Sequence, residues 1–151
     1  MHIVIRKNNR QLFLLEHDTV LLCAAVGLGR VPAGAKSMQG DGKTPEGIYH
    51  ICLIKPNGKY GRSLGLSYPN LADASDGLQS KRITTSAYRA IARAVDDSKR
   101  PPWGTPLGGE IYIHEGGSQS DWTQGCIALN PEDMDILYPF HSRISRVEIY
   151  P

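Results

Sequence analysis

The sequence predicts a mainly β domain of the β-rich α+β class, and three observations support this fold class. Short apolar runs alternate with turn-forming clusters along the 151 residues. The chain contains 16 glycines and 10 prolines, which is typical of many turns between strands. Only two segments carry helix signals, one long and one short. Because 40% of the residues are hydrophobic, one core is feasible, and we predict a single domain over residues 1–151.

The first part of the chain is predicted to form strands. The segments HIVIR and QLFLLE flank Asn8 and Asn9, which favour the left-handed backbone of a tight turn, so these segments form a predicted hairpin. The strands TVLLCAAVGL and GIYHICLI follow, separated by the Gly-rich stretch PAGAKSMQGDGKTPEG. The segments EIYIHE and RVEIY are predicted as the later strands.

The apolar run at residues 20–28 also resembles the core of a signal peptide. It is too short to span a membrane, and two predicted strands precede it where a short basic segment is required. We therefore expect no export signal or anchor in this sequence, which leaves a cytoplasmic protein or one whose signal has been removed.

The long helix is predicted over residues 85–98. Ala87, Ile91 and Val95 recur there with helical spacing, and two prolines follow. We expect this helix to cover one face of the sheet. The short helix is predicted to begin after Asn130, because Asn is a preferred N-cap and Pro131 suits the first helical position.

Composition limits the partners of this chain. Its 17 Lys and Arg nearly balance its 15 Asp and Glu, and no dense basic run occurs, so nucleic acid and anionic membranes are not indicated. The histidines lack the spacing of metal ligands. We predict no metal, no cofactor and no membrane span, and we expect a monomer.

The three cysteines are Cys23, Cys52 and Cys126, without a C-x-x-C spacing. Cys23 and Cys52 lie in apolar runs, and we expect both to be small core residues. A disulfide between them is the alternative.

Cys126, in TQGCIALN, is either a buried strand residue or a nucleophile. A cysteine attacks a carbonyl as a thiolate, which requires a base and donors for the oxyanion. His114 ends a predicted strand and is the candidate base. Gly125 permits close approach of a substrate to the backbone, so that the Cys126 amide is free to face an oxyanion.

The spacing of these residues resembles the L,D-transpeptidase catalytic domain, or YkuD-type family, over nearly the whole chain. That family has a His at a strand end, then Ser or Thr, one residue, Gly, Cys and an apolar residue, as in His114 and the run Thr123 to Ile127. The segments KSMQGDGKTPEGIYHI and LGLSYPN are also similar to the family. The run DWTQGCIAL most resembles its ErfK/YafK-like branch.

The resemblance implies an L,D-transpeptidase-like β-sandwich that acts on bacterial peptidoglycan in cell wall biogenesis and cell shape. Cys126 would attack a stem peptide at the bond between an L-centre and a D-amino acid and form a thioester, with His114 as the base. Backbone amides near Gly125 would face the oxyanion, and a backbone carbonyl would orient His114. The implied location is the periplasm or cell envelope of a bacterium.

Other positions near the motif are candidate substrate contacts with alternatives. Thr123 either fixes the loop, contacts substrate or is only a turn residue. Trp122 either shelters the thioester from water or anchors its loop. Glu115, where the family usually has Gly, is either a solvated rim charge or a group that tunes His114 or recognises an amine.

Gln124 and Ala128 also depart from the common family pattern, which has His and Arg there, and the loop is short. Because of these departures, the sequence does not identify the substrate. The alternatives to transpeptidation are an L,D-carboxypeptidase or an amidase that uses the same thioester, and a wall-peptide binding module without chemistry.

Overall fold

The computed structural model describes all 151 residues, as two β-sheets, three α-helices and one 3-10 helix. The strands are β1 (His2–Arg6), β2 (Gln11–Glu16), β3 (Thr19–Ala25), β4 (Gly47–Tyr49), β5 (Ile51–Gly58), β6 (Gly61–Leu66), β7 (Tyr112–His114), β8 (Ile127–Ala128) and β9 (Arg146–Tyr150). The helices are α1 (Leu71–Gln79), α2 (Thr85–Asp96), α3 (Pro131–Leu137) and a 3-10 helix (Tyr138–Arg143). The predicted β-rich fold class is confirmed.

The two sheets share one core. The first sheet has the strand order β3-β2-β1-β9-β4 and the second has the order β5-β6-β7-β8. A cluster of 21 buried apolar residues includes side chains of both sheets. Alternate residues of β1 and β2 point into it, including the fully buried Ile3, Ile5, Leu12 and Leu14. Each such side chain stabilises the fold by about 1.5–3 kcal/mol relative to an exposed one.

The predicted hairpin of β1 and β2 is confirmed, with Arg6 paired to Gln11. The left-handed residue of its turn is Arg10, with φ of 53°, and neither asparagine takes that conformation. The turn therefore ends one residue later than the asparagine pair suggests. Its closing hydrogen bond runs from the Arg10 amide to the Lys7 carbonyl, over 3.1 Å.

The segment GIYHICLI is two strands, where the sequence predicts one. β4 pairs with β9 in the first sheet, and β5 pairs with β6 in the second. The chain changes sheet at His50, whose amide donates to the Ser67 hydroxyl over 3.0 Å. His50 also accepts from the Ser67 amide over 2.9 Å. One apolar run thus contributes a strand to each of the two sheets.

Helices α2 and α3 are confirmed, while α1 and strand β6 are additional to the predicted elements. Asn70 caps α1 through a reciprocal capping box with Asp73, a signal that is present in the sequence. The expectation that α2 covers a sheet is wrong. Its one buried residue, Ile91, packs against α1 in a separate cluster with Ala74, Ile83 and Leu107.

The cysteine expectations are wrong for Cys23. Leu22 and Ala24 point into the core, so the residue between them faces outward, and Cys23 is exposed. Cys52 is half-buried in the other sheet, and all three cysteines are free. The disulfide alternative is therefore not present in this structure.

The run at residues 20–28 forms β3 and an extended segment beyond it. None of the helices has the length and apolar composition that crossing a membrane requires.

Lys7, which follows β1, binds the Gly-rich stretch at residues 32–47 through hydrogen bonds. Only 2% of this residue is exposed. Its Nζ donates to the carbonyls of Gly34 and Thr44, over 2.7 and 2.9 Å, and to the Glu46 carboxylate over 3.1 Å. Burial lowers the pKa of Lys7, and Glu46 opposes that shift. The sequence gives no sign of this interaction, because Lys is rarely buried.

We predict that Lys7→Met lowers the free energy of unfolding by about 3 kcal/mol, because it leaves buried acceptors and one carboxylate without their donor. Denaturant unfolding measures the change. Lys99→Met is the matched control, since Lys99 is exposed and its ion pair with the exposed Asp97 is long, at 3.9 Å, and contributes little to stability. Equal midpoints for the two variants would contradict a structural role of Lys7.

Candidate active site

The parallel pair β7 and β8 brings His114 and Cys126 to one face of the sheet. His114 is opposite Ala128 in the register. Paired residues of parallel strands point to the same side, and so does Cys126, two positions before Ala128. Both side chains line a cavity of about 390 Å³, here called the first cavity. The structure therefore brings the two predicted site residues together.

The Cys126 thiol lies among backbone groups. Its Sγ accepts from the Tyr112 amide over 3.4 Å and lies 3.4 Å from the Glu110 carbonyl, to which the thiol donates. Burial raises the pKa of Cys126, against the smaller opposing effects of the Tyr112 amide and the Lys36 charge. The resting form at neutral pH is thus the thiol, and not a preformed thiolate.

His114 is 3% exposed and is oriented by a backbone carbonyl, as the resemblance implies. That carbonyl belongs to Glu115 and contacts Nδ1 of the ring. Because a carbonyl only accepts, Nδ1 carries the proton and Nε2 keeps a free lone pair. Burial lowers the pKa of His114, so the ring is neutral at pH 7 and able to take a proton.

Two aromatic rings hold the His114 imidazole. Tyr60 stacks on it with centroids 4.9 Å apart, and Trp122 meets it edge-on at 5.6 Å. The Trp122 indole also donates to the Gly117 carbonyl over 3.0 Å. Trp122 thus lines the cavity and anchors its own loop, while its role as a shelter for the thioester stays a prediction.

Thr123 is buried and organises the turn before Cys126. Its hydroxyl accepts from the Gly125 amide over 3.1 Å and donates to the Cys126 carbonyl over 2.8 Å. Its own backbone bridges to residues 28 and 30. Among the alternatives for Thr123, these contacts favour fixing the loop.

Gly125 has φ of 140°, in the region that favours glycine. A Cβ there would lie 2.6 Å from the Lys43 carbonyl oxygen, so the position excludes side chains. Its amide is bound to Thr123, which removes it from the predicted oxyanion donors. The Cys126 amide makes no hydrogen bond within the structure and remains the available donor.

Glu115 and Gln124 differ in their relation to the cavity. Gln124 lines it, whereas Glu115 does not. The Glu115 carboxylate accepts from the amide and guanidinium of Arg62, whose hydrogen bond lowers the pKa of Glu115. Arg62 also contacts Asp135 over 2.7 Å. In this structure Glu115 is therefore an ion-paired group, neither a solvated charge nor a free site for an amine.

The loop between His114 and Cys126 is fastened at two further points. Asp121 accepts from the Leu28 amide over 3.0 Å and pairs with Arg10 at 2.9 Å. The Asn130 side chain accepts from the amide and hydroxyl of Ser118. The predicted N-cap of α3 thus binds this loop and makes no side-chain cap bond.

Several cavity residues are absent from the sequence interpretation. They come from outside the motif, namely Arg30, Lys55, Gly58, Lys59, Tyr60, Ser63, Glu110 and Tyr112. Most belong to the β5 and β6 hairpin or lie beside it. No local signal marks them, because β6 pairs with β7 only in the folded chain.

Comparisons with known proteins agree with this geometry. The family model described as the YkuD L,D-transpeptidase catalytic domain matches residues 1–149. No curated protein matches the chain. Solved structures with the same fold include three that are 11–20% identical to this chain.

The helical cell shape determining protein Pgp2 from Campylobacter jejuni has a TM-score of 0.64 and 20% identity, over 97% of this chain and 46% of that one. An L,D-transpeptidase from Xylanimonas cellulosilytica has a TM-score of 0.52 and 12% identity, over 98% of this chain and 59% of that one. The L,D-transpeptidase LdtMt1, solved in complex with imipenem, has a TM-score of 0.51 and 11% identity, over 98% of this chain and 57% of that one. The present chain thus spans about half the length of these structures.

We predict that Thr123→Val destabilises the protein by about 1–3 kcal/mol and slows acylation of Cys126. Valine has the same shape, but it leaves the Gly125 amide and the Cys126 carbonyl without their partner. Thermal unfolding and mass measurement of acylation test this. Thr123→Ser retains the hydroxyl and should keep both properties; equal losses in both variants would assign the role to the methyl group.

Proposed function

This chain belongs to the family of YkuD L,D-transpeptidase catalytic domains, and on that premise we propose that it transfers an acyl group of a peptidoglycan stem peptide through a thioester on Cys126. The observation that carries the proposal is the shared cavity of Cys126 and His114. We further propose that residues 1–151 form one catalytic domain that acts in the bacterial cell envelope.

The first step joins the Cys126 sulfur to the carbonyl carbon of the bond between an L-centre and a D-amino acid. The thiol proton moves to Nε2 of His114, which is free because Nδ1 is bound to the Glu115 carbonyl. The oxyanion faces the Cys126 amide. The C–N bond then breaks, and His114 returns the proton to the departing amine.

The resting charges favour a proton transfer that is coupled to attack. A raised pKa at Cys126 and a lowered pKa at His114 both disfavour the thiolate and imidazolium pair. The nucleophile is thus formed as the substrate carbonyl arrives. A protonated thiol is also less exposed to oxidation between turnovers.

A second candidate uses the same thioester with water as the acceptor. Tyr60 lines the first cavity and is 40% exposed, which supports access of water to this cavity. The enzyme would then be an L,D-carboxypeptidase or an amidase. An acceptor amine wins only if it is held in position, and Trp122 is the proposed shelter for it.

Incubation with purified peptidoglycan fragments and mass analysis of the products decides between these functions. Cross-linked stems or stems with an exchanged residue support transfer. Shortened stems alone, in the presence of abundant amine acceptor, support the hydrolase. Intact fragments after incubation would overturn both and support a binding module.

We predict that a carbapenem forms one adduct with the Cys23→Ser protein, mapped to Cys126. The substitution removes an exposed thiol that would also react with general electrophiles. His114→Gln should slow the reaction by about a hundred- to ten-thousand-fold, because it removes the base. Cys126→Ser is the control without the thiol. An adduct at another residue, or a normal rate in the His114 variant, would remove these residues from the proposed mechanism.

The pH dependence of this acylation follows from the direction of the His114 shift. Burial places the pKa of His114 below 6.5, so neutral imidazole persists to pH values below 6.5. We therefore predict a constant rate from pH 8 down to about 6.5 and a fall below that value. Stopped-flow measurement of carbapenem acylation tests this. A midpoint above 6.5 would mean that an anion, and not burial, controls the ring.

A further inference from the structure

The Glu115 carbonyl orients His114, and the strand register places a competing donor beside this carbonyl. β6 and β7 are antiparallel, with Ser63 opposite His114. The Leu66 amide donates to the Ile111 carbonyl over 2.8 Å, so these two residues form a hydrogen-bonded pair. Such pairs recur at every second position of an antiparallel ladder.

The same register places Arg62 opposite Glu115, at the next hydrogen-bonded pair but one. A regular ladder would join the Arg62 amide to the Glu115 carbonyl there. In this structure the Arg62 amide donates to the Glu115 carboxylate, and the Glu115 carbonyl accepts from no backbone amide. The carboxylate thus replaces the carbonyl as the acceptor of the ladder, and the carbonyl contacts Nδ1 of His114.

The Glu115 carboxylate lies in a built site at the hairpin of β5 and β6. Gly61 has φ of 86°, and a Cβ at this position would overlap Oε2 of Glu115. Glycine therefore leaves the space that the carboxylate fills. The Arg62 guanidinium donates to Oε1 over 2.7 Å. This hydrogen bond lowers the pKa of Glu115, so the group is an anion at neutral pH.

Arg62 is itself held by residues of α3 and the 3-10 helix. Its guanidinium donates to the Asp135 carboxylate over 2.7 Å. It also lies 5.8 Å from the centre of the Tyr138 ring. These contacts fix the cation that binds Glu115, so the position of Glu115 is connected to the segment that follows β8.

The peptide that carries the Glu115 carbonyl has little restraint from its neighbours in sequence. Gly116 and Gly117 follow it, with φ of 125° and 103°. Glycine adopts other torsions at small cost, so the peptide before Gly116 is free to rotate. The carbonyl would then turn from His114 to the Arg62 amide, unless the Glu115 side chain already occupies that amide.

We propose that Glu115 is a positioning residue for the base: its carboxylate, bound to Arg62, keeps the Glu115 carbonyl on Nδ1 of His114. The proposal rests on the function proposed above, in which Nε2 of His114 takes the proton of Cys126. Nε2 has a free lone pair only in the tautomer with the proton on Nδ1, and the acceptor at Nδ1 selects that tautomer. Glycine, which the family usually has at this position, offers no such carboxylate.

The tautomer of His114 tests the proposal without a substrate. Long-range proton–nitrogen NMR spectra of protein with isotopically labelled histidine distinguish a ring protonated at Nδ1 from one protonated at Nε2. The spectrum of His114→Gln assigns the signals. We expect the Nδ1–H ring in the unsubstituted protein and a mixture of tautomers in Glu115→Ala. Glu115→Gln should retain the Nδ1–H ring, because its side-chain oxygen still accepts from the Arg62 amide.

Acylation of Cys126 by a carbapenem, measured in the Cys23→Ser protein, is the second readout. We expect Glu115→Ala to react about tenfold more slowly, which is the effect of one lost hydrogen bond on a rate. Glu115→Gln should react at close to the unsubstituted rate. The matched control is Glu16→Ala, which breaks the ion pair of Glu16 with Arg143 outside the site and should change neither readout.

An Nε2–H ring in the unsubstituted protein would overturn the proposal, and this result needs no variant to fold. An unchanged Nδ1–H ring in Glu115→Ala would also overturn it, even if acylation is slower, because the loss of rate would then have another cause. If the carbapenem does not acylate the unsubstituted protein although the tautomer of His114 depends on Glu115, the proposed function is wrong and the positioning of the ring stands. These outcomes separate the failure of the positioning role from the failure of the proposed function.

Discussion

The parallel pairing of β7 with β8 is the constraint on which the site depends. Parallel neighbours need a crossover connection, which in most proteins is a helix of a dozen or more residues. Here residues 115–126 make the connection as an irregular loop. Such a loop has few backbone hydrogen bonds of its own, so other parts of the chain must supply them. The residues that hold this loop therefore also hold His114 and Cys126 at their places.

The loop is held by polar contacts from distant parts of the chain. Asp121 joins it to Arg10 at the β1 hairpin and to the amide of Leu28. Asn130 binds its first half from the start of α3, and Thr123 closes the turn at its end. Of these groups Thr123 is buried and the others are partly buried, so an alternative arrangement of the loop would leave the Thr123 hydroxyl without its partners. Hydrogen bonds thus hold the loop, and the rings of Tyr60 and Trp122 pack against His114.

Charge is distributed unevenly around this scaffold. Cations with a structural role, such as Lys7 and Arg62, are paired with carboxylates. The cations around the first cavity are unpaired, while burial keeps the His114 and Cys126 pair neutral. The family membership and this arrangement together account for the proposed acyl transfer.

The sequence by itself determined the β-rich fold class, the helix α2 and the choice of His114 and Cys126, which line one cavity, because each depends on local pattern or a short motif. Tertiary structure decided what depends on which elements become neighbours. The alternation of residues along β3 predicts two faces but does not show which face meets the core. The exposure of Cys23 therefore followed only from the folded structure. The cations of the first cavity, Lys55 among them, lie far from the motif in sequence, and only the pairing of β6 with β7 brings their hairpin to it. Burial sets the direction of the pKa shifts, and burial exists only in the folded chain.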